Sequence, residues 1–406
     1  MYRRLCRGII ILLGIACPAL PVNEHLKASQ TRSTGSEILP IAAWLEAGEI
    51  TEIPWKLSVS PVALRMDQRL ELAYQVRLAA KDLNRIGTQH QLIFISRIST
   101  LDGEWLNEPE VFRHTLNDEL PKNTETQVIM RVAVKPGDYV LLLILYDHVS
   151  RKHNLAKRRI RIPEINNDPL PNAFDSLPLV EYPQRREADD PVGYPSKLSL
   201  PVENPQPLQI EIISTLSHPE QWRSGSRILR NHVPNIVRAL TALSQLELSR
   251  GTLSITGLDL VRRQLAFHQE SSRSLDWKSL LEAIENATSP ALNINALAGR
   301  KNNGAFFRDY LNERITAKKT PDGPKRVFIV LSESLLFAYG ADLKPLRLEQ
   351  DCNCVVYHLR FRLTLQDTFD DLAKFMKPLR PRTFNLMTAL ELRKAIAEII
   401  GDLKAL

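Results

Sequence analysis

Cysteine is nearly absent. Of four cysteines in 406 residues, Cys6 and Cys17 fall within the first nineteen positions, which leaves Cys352 and Cys354 for the rest of the chain. Two cysteines cannot build a disulfide framework, so the core has to come from apolar packing. Beyond residue 19 no apolar run is long enough to span a bilayer, which excludes an integral membrane span. Charge of one sign is also scarce. The formal net charge of +7 falls to about +4 once Arg3, Arg4 and Arg7 are set aside. Nucleic-acid binders concentrate far more positive charge on one face, so no nucleic-acid partner is expected. The densest basic stretch, Lys157 to Ile162, places Ile160 and Ile162 on one side and Arg159 and Arg161 on the other, the pattern of a half-buried strand with a solvated face.

Ligand spacing is missing as well. The histidines, from His25 to His358, are scattered. Cys352, Cys354 and His358 would share one face of an extended strand, but four residues at ~3.3 Å each put Cys354 and His358 ~13 Å apart. Zinc ligands all lie within ~2.3 Å of the ion, so no metal and no cofactor are expected. Ser332-Glu333-Ser334 follows an apolar strand yet lacks the glycines of a nucleophile elbow, and His358 lies inside a later strand, where it reads as structural. No catalytic residue is assigned.

What is present begins with a leader. Arg3, Arg4 and Arg7 precede the apolar run Ile9 to Ala16, the order of a secretory signal peptide, expected over residues 1–19. Cleavage after Ala16 or after Ala19 fits; a lipid-modified Cys17 is the alternative. The expected location is periplasmic, cell-envelope or secreted. Residues 20–50 read as a flexible segment. Over residues 51–164 the period is two: Leu70 to Leu78, Leu92 to Ile98 and Val128 to Val134 alternate, Pro136-Gly137-Asp138 turns into the run Tyr139 to Asp147, and Trp55 to Ser60 and Lys157 to Ile162 add two more. About six strands without a helical repeat predict an antiparallel β-sandwich. The Lys135 to Tyr139 turn resembles the last hairpin of immunoglobulin-like accessory domains.

Ten of the 26 prolines lie between Pro163 and Pro207, which predicts an extended Pro-rich linker over residues 165–206. Past it, over residues 207–406, strands alternate with helices. Ile210 to Ile213, Leu253 to Ile255, Leu260 to Phe267, Val327 to Leu331 and Val355 to Leu363 are strand-like. Helical spacing covers Val233 to Leu246, Leu275 to Ile284, Phe306 to Ile315 and Leu390 to Ile400. The fold class is therefore α/β plus all-β, the second part layered around a mostly parallel sheet.

The stretch Asn303-Gly304-Ala305-Phe306-Phe307-Arg308-Asp309-Tyr310-Leu311 opens a helix much as a Gly-Gly-Thr-small-aliphatic-Tyr-Asp-Ala-Leu pattern does, and with the element order it resembles a von Willebrand factor A domain. The resemblance covers about half of the chain and implies a doubly wound α/β domain with a metal-ion-dependent adhesion site. That site is degenerate here. Where the family has Asp-x-Ser-x-Ser, this chain has Ser214-Thr215-Leu216-Ser217-His218; Ala305 replaces the Thr ligand; and Leu331-Ser332-Glu333-Ser334 leaves Glu333 as the only carboxylate. Magnesium gives up water reluctantly and needs well-placed oxygens, so metal binding is not expected. Two readings follow: a dead surface, or a crevice lined by Ser214, Ser217, Asn303 and Glu333 that binds a protein partner without metal. The chain thus reads as a non-catalytic adhesion or scaffolding protein; the alternative is a hydrolytic enzyme working from the same crevice. Cys352 and Cys354 are expected either as a redox-sensitive pair or as two buried thiols.

Overall fold

The computed structural model describes residues 39–185, 191–217, 232–270, 275–288, 294, 298–316, 323–337, 340–342, 344–346, 354–362 and 370–406. It is mixed α/β with several antiparallel sheets.

The alternating stretches form strands as their period requires. After helix α1 (Ile41–Ala47), the strands are β1 (Ile50–Thr51), β2 (Lys56–Val59), β3 (Ala63–Leu64), β4 (Leu70–Ala79), β5 (His90–Ser99), β6 (Glu110–Leu116), β7 (Glu125–Val134), β8 (Gly137–Asp147) and β9 (His153–Ile162), with the single turn of α2 (Ala80–Asn84) after β4. One sheet runs β1-β9-β8-β5-β6; in the other, β7 and β4 lie beside each other with β2 and β3 on β4 and a later strand, β10 (Val180–Glu181), on β7. All these pairs are antiparallel. Leu72, Tyr74 and Val76 from one sheet and Phe94, Leu143 and Leu145 from the other share one core. Tyr74 is fully buried and its hydroxyl is satisfied by Ser96 Oγ at 2.6 Å. β1, β3 and β6 were not expected; along β6 exposed Val111, Arg113 and Thr115 alternate with half-buried Glu110, Phe112 and His114.

Two boundaries differ from the sequence expectation. Residues 39–50 are not a flexible segment: α1 packs on the second apolar face of the sheet that contains β8, and β1 extends that sheet by pairing with β9. The Pro-rich stretch is not an extended linker either. It contributes a 3-10 turn at Pro171–Phe174, β10, a ribbon of β11 (Gln184–Arg185) with β12 (Pro191–Gly193), and β13 (Leu200–Val202). Leu198, Leu200 and Val202 alternate inward with half-buried Ser199 and exposed Pro201 between them, so this stretch carries its own strand pattern despite its prolines.

The second sheet is built from β14 (Leu208–Thr215), β16 (Gly251–Asp259), β17 (Gln264–Gln269), β18 (Lys325–Glu333), β19 (Cys354–Phe361) and β20 (Arg382–Leu386), in the order β17-β16-β14-β18-β19-β20. Only β17 is antiparallel. Helices α3 (His232–Leu243), α4 (Trp277–Thr288) and α7 (Ala389–Ala405) bury Leu240, Leu280 and Ile396 against Ile210, Ile212 and Ile329. On the other face α5 (Asn303–Thr316) and α6 (Asp371–Met376) set Phe307, Leu311 and Phe375 against Ile213, Phe328 and Val330. Alternate residues of one strand thus serve opposite layers, as the pleat demands. Leu246, expected at the end of α3, begins β15 (Leu246–Leu248), which pairs in parallel with β13. The stretch Leu260 to Phe267 is interrupted by a turn at 260–263 in which Arg263 has φ of 55°. Gly251 opens β16 with φ of 124°, where a Cβ would lie 1.9 Å from the Leu208 carbonyl oxygen.

The proline-rich stretch is wedged between the two sheet systems. Arg393 of α7, fully buried, donates to both Asp168 carboxylate oxygens at 2.5 and 2.7 Å and to the Leu170 carbonyl at 2.7 Å, with its guanidinium over the Phe174 ring. Gln68, before β4, reaches the Ala389 carbonyl at 3.1 Å, and Arg69 sits between Glu181 and the Ser196 carbonyl. Among the described residues no helix is long and apolar enough to cross a membrane.

Candidate functional site

Strands β14, β16, β18 and β19 end side by side at Thr215, Asp259, Glu333 and Phe361, with β14 between β16 and β18. In open α/β sheets the crevice outside the carboxyl ends is where ligands bind. Helix α5 is aimed there by a network around the buried Glu211 at its far end. Glu211 of β14 accepts two hydrogen bonds from Arg314 Nε, at 2.9 and 3.1 Å, and one from Tyr310 Oη at 3.0 Å. Burial, with the Glu211 charge beside it, pushes the Tyr310 phenol up to about 12. Tyr310 and Arg314 are one helical turn apart, so the network fixes the rotation of α5 about its axis.

Two arginines fill the crevice. Asp259 is fully buried at the end of β16. One of its oxygens accepts from Ser217 Oγ at 2.7 Å and from the backbone N–H groups of Val261 and Arg262 at 3.0 and 3.1 Å; the other takes Arg262 Nη1 at 2.9 Å. Arg263 Nη1 donates to Asn303 Oδ1 at 3.0 Å. The Arg263 guanidinium lies against Gly299 so closely that a Cβ there would sit 2.5 Å from Nη2. Positive φ at Arg263 is what turns consecutive arginines to different acceptors.

Of the expected lining residues, Ser217 and Asn303 are brought to this cluster, each held by a neighbour. Ser214 is fully buried in β14, and neither its hydroxyl nor Asn303 Nδ2 has a hydrogen-bond partner among the described residues. Glu333 is the last residue of β18, two positions beyond Leu331, the register partner of Ser214. Beside Glu333, Asp259 is a second carboxylate at the strand ends, outside the three stretches expected to carry ligands. An Asp three residues before an Arg at a strand end was the signal that could have found it. His218 lies outside the described residues. Among the described residues, no three His, Cys, Asp or Glu side chains are grouped to hold a metal ion.

A second cluster lies deeper. Ser332 Oγ and His358 Nε2 are 3.1 Å apart, both side chains fully buried. Burial, helped by the Arg360 charge, lowers the His358 pKa to about 3, and its Nδ1 has no partner among the described residues. The imidazole is therefore neutral and no carboxylate orients it. Asp370 caps α6 instead, accepting from the N–H groups of Leu335 and Leu372.

Cys354, the first residue of β19 and half-buried, is disulfide-bonded. This excludes a free buried thiol at Cys354; Cys352 lies outside the described residues.

No protein-family profile matches the chain, and no curated protein matches it. Among solved structures, a β-glucosidase from Listeria innocua is 8% identical over 27% of this chain and 16% of its own, with a TM-score of 0.18. A putative ApaA protein from Bordetella pertussis is 14% identical over 28% of this chain and 96% of its own, with a TM-score of 0.17. A conjugate transposon protein from Bacteroides vulgatus is 16% identical over 29% of this chain and 90% of its own, at 0.13. Likeness this slight carries no argument about fold or activity.

Proposed function

We propose that the chain is an exported, non-catalytic protein-binding or scaffolding protein, made of an antiparallel β-sandwich and a von Willebrand A-like α/β part whose strand-end crevice works without metal. The observation that carries the reading is the arginine pair. Arg262 neutralises Asp259 and Arg263 holds Asn303 Oδ1, so cationic side chains already occupy two of the side-chain oxygens at this end of the sheet. The strand order 3-2-1-4-5-6 seen from β14, with one antiparallel edge strand, is that of a doubly wound sheet and supports the fold half of the reading. The partner would meet the rim at Leu336, an exposed apolar residue just past β18.

Capture from envelope extract with the full chain tests this, because an isolated second half would lose the Asp168 and Gln68 contacts of α7. A partner retained in chelator and lost with Leu336→Asp supports the proposal; capture that requires magnesium overturns it. Magnesium or manganese at millimolar concentration should also leave the melting temperature unchanged, since a ligand bound only by the native state raises it.

The Ser332 to His358 contact favours a second reading, a hydrolase. Both groups are sealed from solvent, and a serine-directed fluorophosphonate should leave the chain unlabelled. Labelling abolished by Ser332→Ala would establish the hydrolase instead.

A further inference from the structure

An antiparallel sheet in a sandwich ordinarily leaves one face to water. The β1-β9-β8-β5-β6 sheet does not. Its inner face gives Phe94, Leu143 and Leu145 to the sandwich core, while its outer face carries Ile93, Ile95, Leu142, Ile144, Tyr146 and Leu155, each less than a tenth exposed. Strand register places Ile95, Ile144 and Leu155 in one row and Ile93, Tyr146 and His153 in the next. The cover is Leu39 and α1, through Ile41, Trp44 and Leu45, with Trp105 beside them. Trp44 stacks on His153 with ring centroids 4.4 Å apart and meets the Tyr146 ring at 5.4 Å.

This cover is held lightly. Helix α1 has seven residues, and so short a helix has little stability of its own. Pro40 at its N-cap offers no side-chain bond, Gly48 ends it with φ of 89°, and none of its residues is fully buried. The firm attachment comes later, where the Asn154 side chain accepts from the Glu52 and Ile53 N–H groups and donates to the Ile53 carbonyl. The chain can therefore leave the sheet from Glu49 upstream, giving up the Glu49 bonds to the Lys157 N–H and to Arg158, while that clasp stays closed.

We propose that this outer face is a docking groove for an amphipathic helix of a partner protein, and that α1 is a plug bound to it in cis. The plug defines the occupant's chemistry: an aliphatic, an aromatic and an aliphatic residue at i, i+3 and i+4, as in Ile41, Trp44 and Leu45, the pattern by which helices dock in grooves. A carboxylate just past the helix end completes it, as Glu49 meets Arg158 Nη1 at 3.1 Å. The groove is on the β-sandwich and stands independently of the strand-end crevice.

The probe is a fluorescent synthetic peptide of residues 39–49, and the receptor is the full chain with Ile41→Ala, Trp44→Ala and Leu45→Ala combined. This variant should bind the peptide at least tenfold more tightly than the wild type, whose groove is occupied, and a Trp44→Ala peptide should not bind. No binding by the variant, or equal binding by both proteins, overturns the proposal. Hydrogen exchange on the wild type needs no variant to fold. Amides of residues 41–47 should exchange at least tenfold faster than those of β8, and equal protection would make α1 a fixed part of the fold and defeat the idea.

Discussion

His358 is a titratable group placed where it cannot titrate. In the unfolded chain its imidazole takes up a proton near pH 6.5, whereas in the native protein burial and the Arg360 charge lower the pKa to about 3. The folded-state value is depressed, so the contribution to stability is full above pH 6.5, declines as pH falls, and is lost by about pH 3. The slope through that window is at most about 1.4 kcal/mol per pH unit for one proton. His358→Asn should flatten the acid side of the stability curve between pH 6 and 4 by up to that slope, even if it lowers stability at pH 7. Urea midpoints across that range check it, and an unchanged slope would mean His358 is protonated in the native state. Arg262 is the converse case. Arg262→Met leaves Asp259 fully buried with neutral donors only, and removing one partner of a buried pair costs about 3–5 kcal/mol; Arg262 keeps some exposure, which puts the expected loss toward the lower figure. Thermal unfolding of the variant measures it.

Elements differ in how openly the sequence announces them. Helix α7 carries its start signal in full: Thr388 Oγ1 accepts from the Glu391 N–H, and the Glu391 carboxylate accepts from the Thr388 N–H. Thr388→Ala should cost about 1 kcal/mol and Thr388→Ser much less, read from denaturant midpoints at constant slope. The long strands were equally legible, because Leu70 to Leu78 and Leu92 to Ile98 alternate, and β18 and β19 show the continuous apolar runs of strands covered on both faces. Helix α6 and strand β20 were not, since six and five residues hold too few periods to stand out. The candidate site was legible only as a set of lost ligands. Ser217 and Asn303 lie beside the strand ends, but Asp259 and Arg262 acquire their relation through a turn, and periodicity carries no information about a positive φ at Arg263. Proline content likewise told of restricted backbone between residues 163 and 207 without telling what the backbone rests on.

At the scale of the molecule, the wedge formed by that stretch decides whether the two sheet systems unfold separately. Had it been a spacer, each would melt on its own. Instead Arg393, on the last helix, is fully buried and finds its counter-charge in Asp168, 225 residues earlier. Burial acts to raise the Asp168 pKa, but hydrogen bonds from Arg393 and the Leu170 N–H outweigh it and hold the carboxyl below its ordinary value. The pair therefore stabilises the fold above the usual carboxylate range and weakens as pH falls through the depressed folded value. Asp168→Ala would leave the guanidinium against the Leu170 carbonyl alone, at a cost of about 3–5 kcal/mol. Calorimetry at neutral pH should give one transition for the wild type and two for Asp168→Ala, the earlier one belonging to the half that loses the wedge. Replacing Arg393 by Met together with Asp168→Ala should cost less than Asp168→Ala alone, because no unpaired charge remains in the junction. Two well-separated transitions in the wild type would show that the wedge does not couple the halves, whatever the variants do.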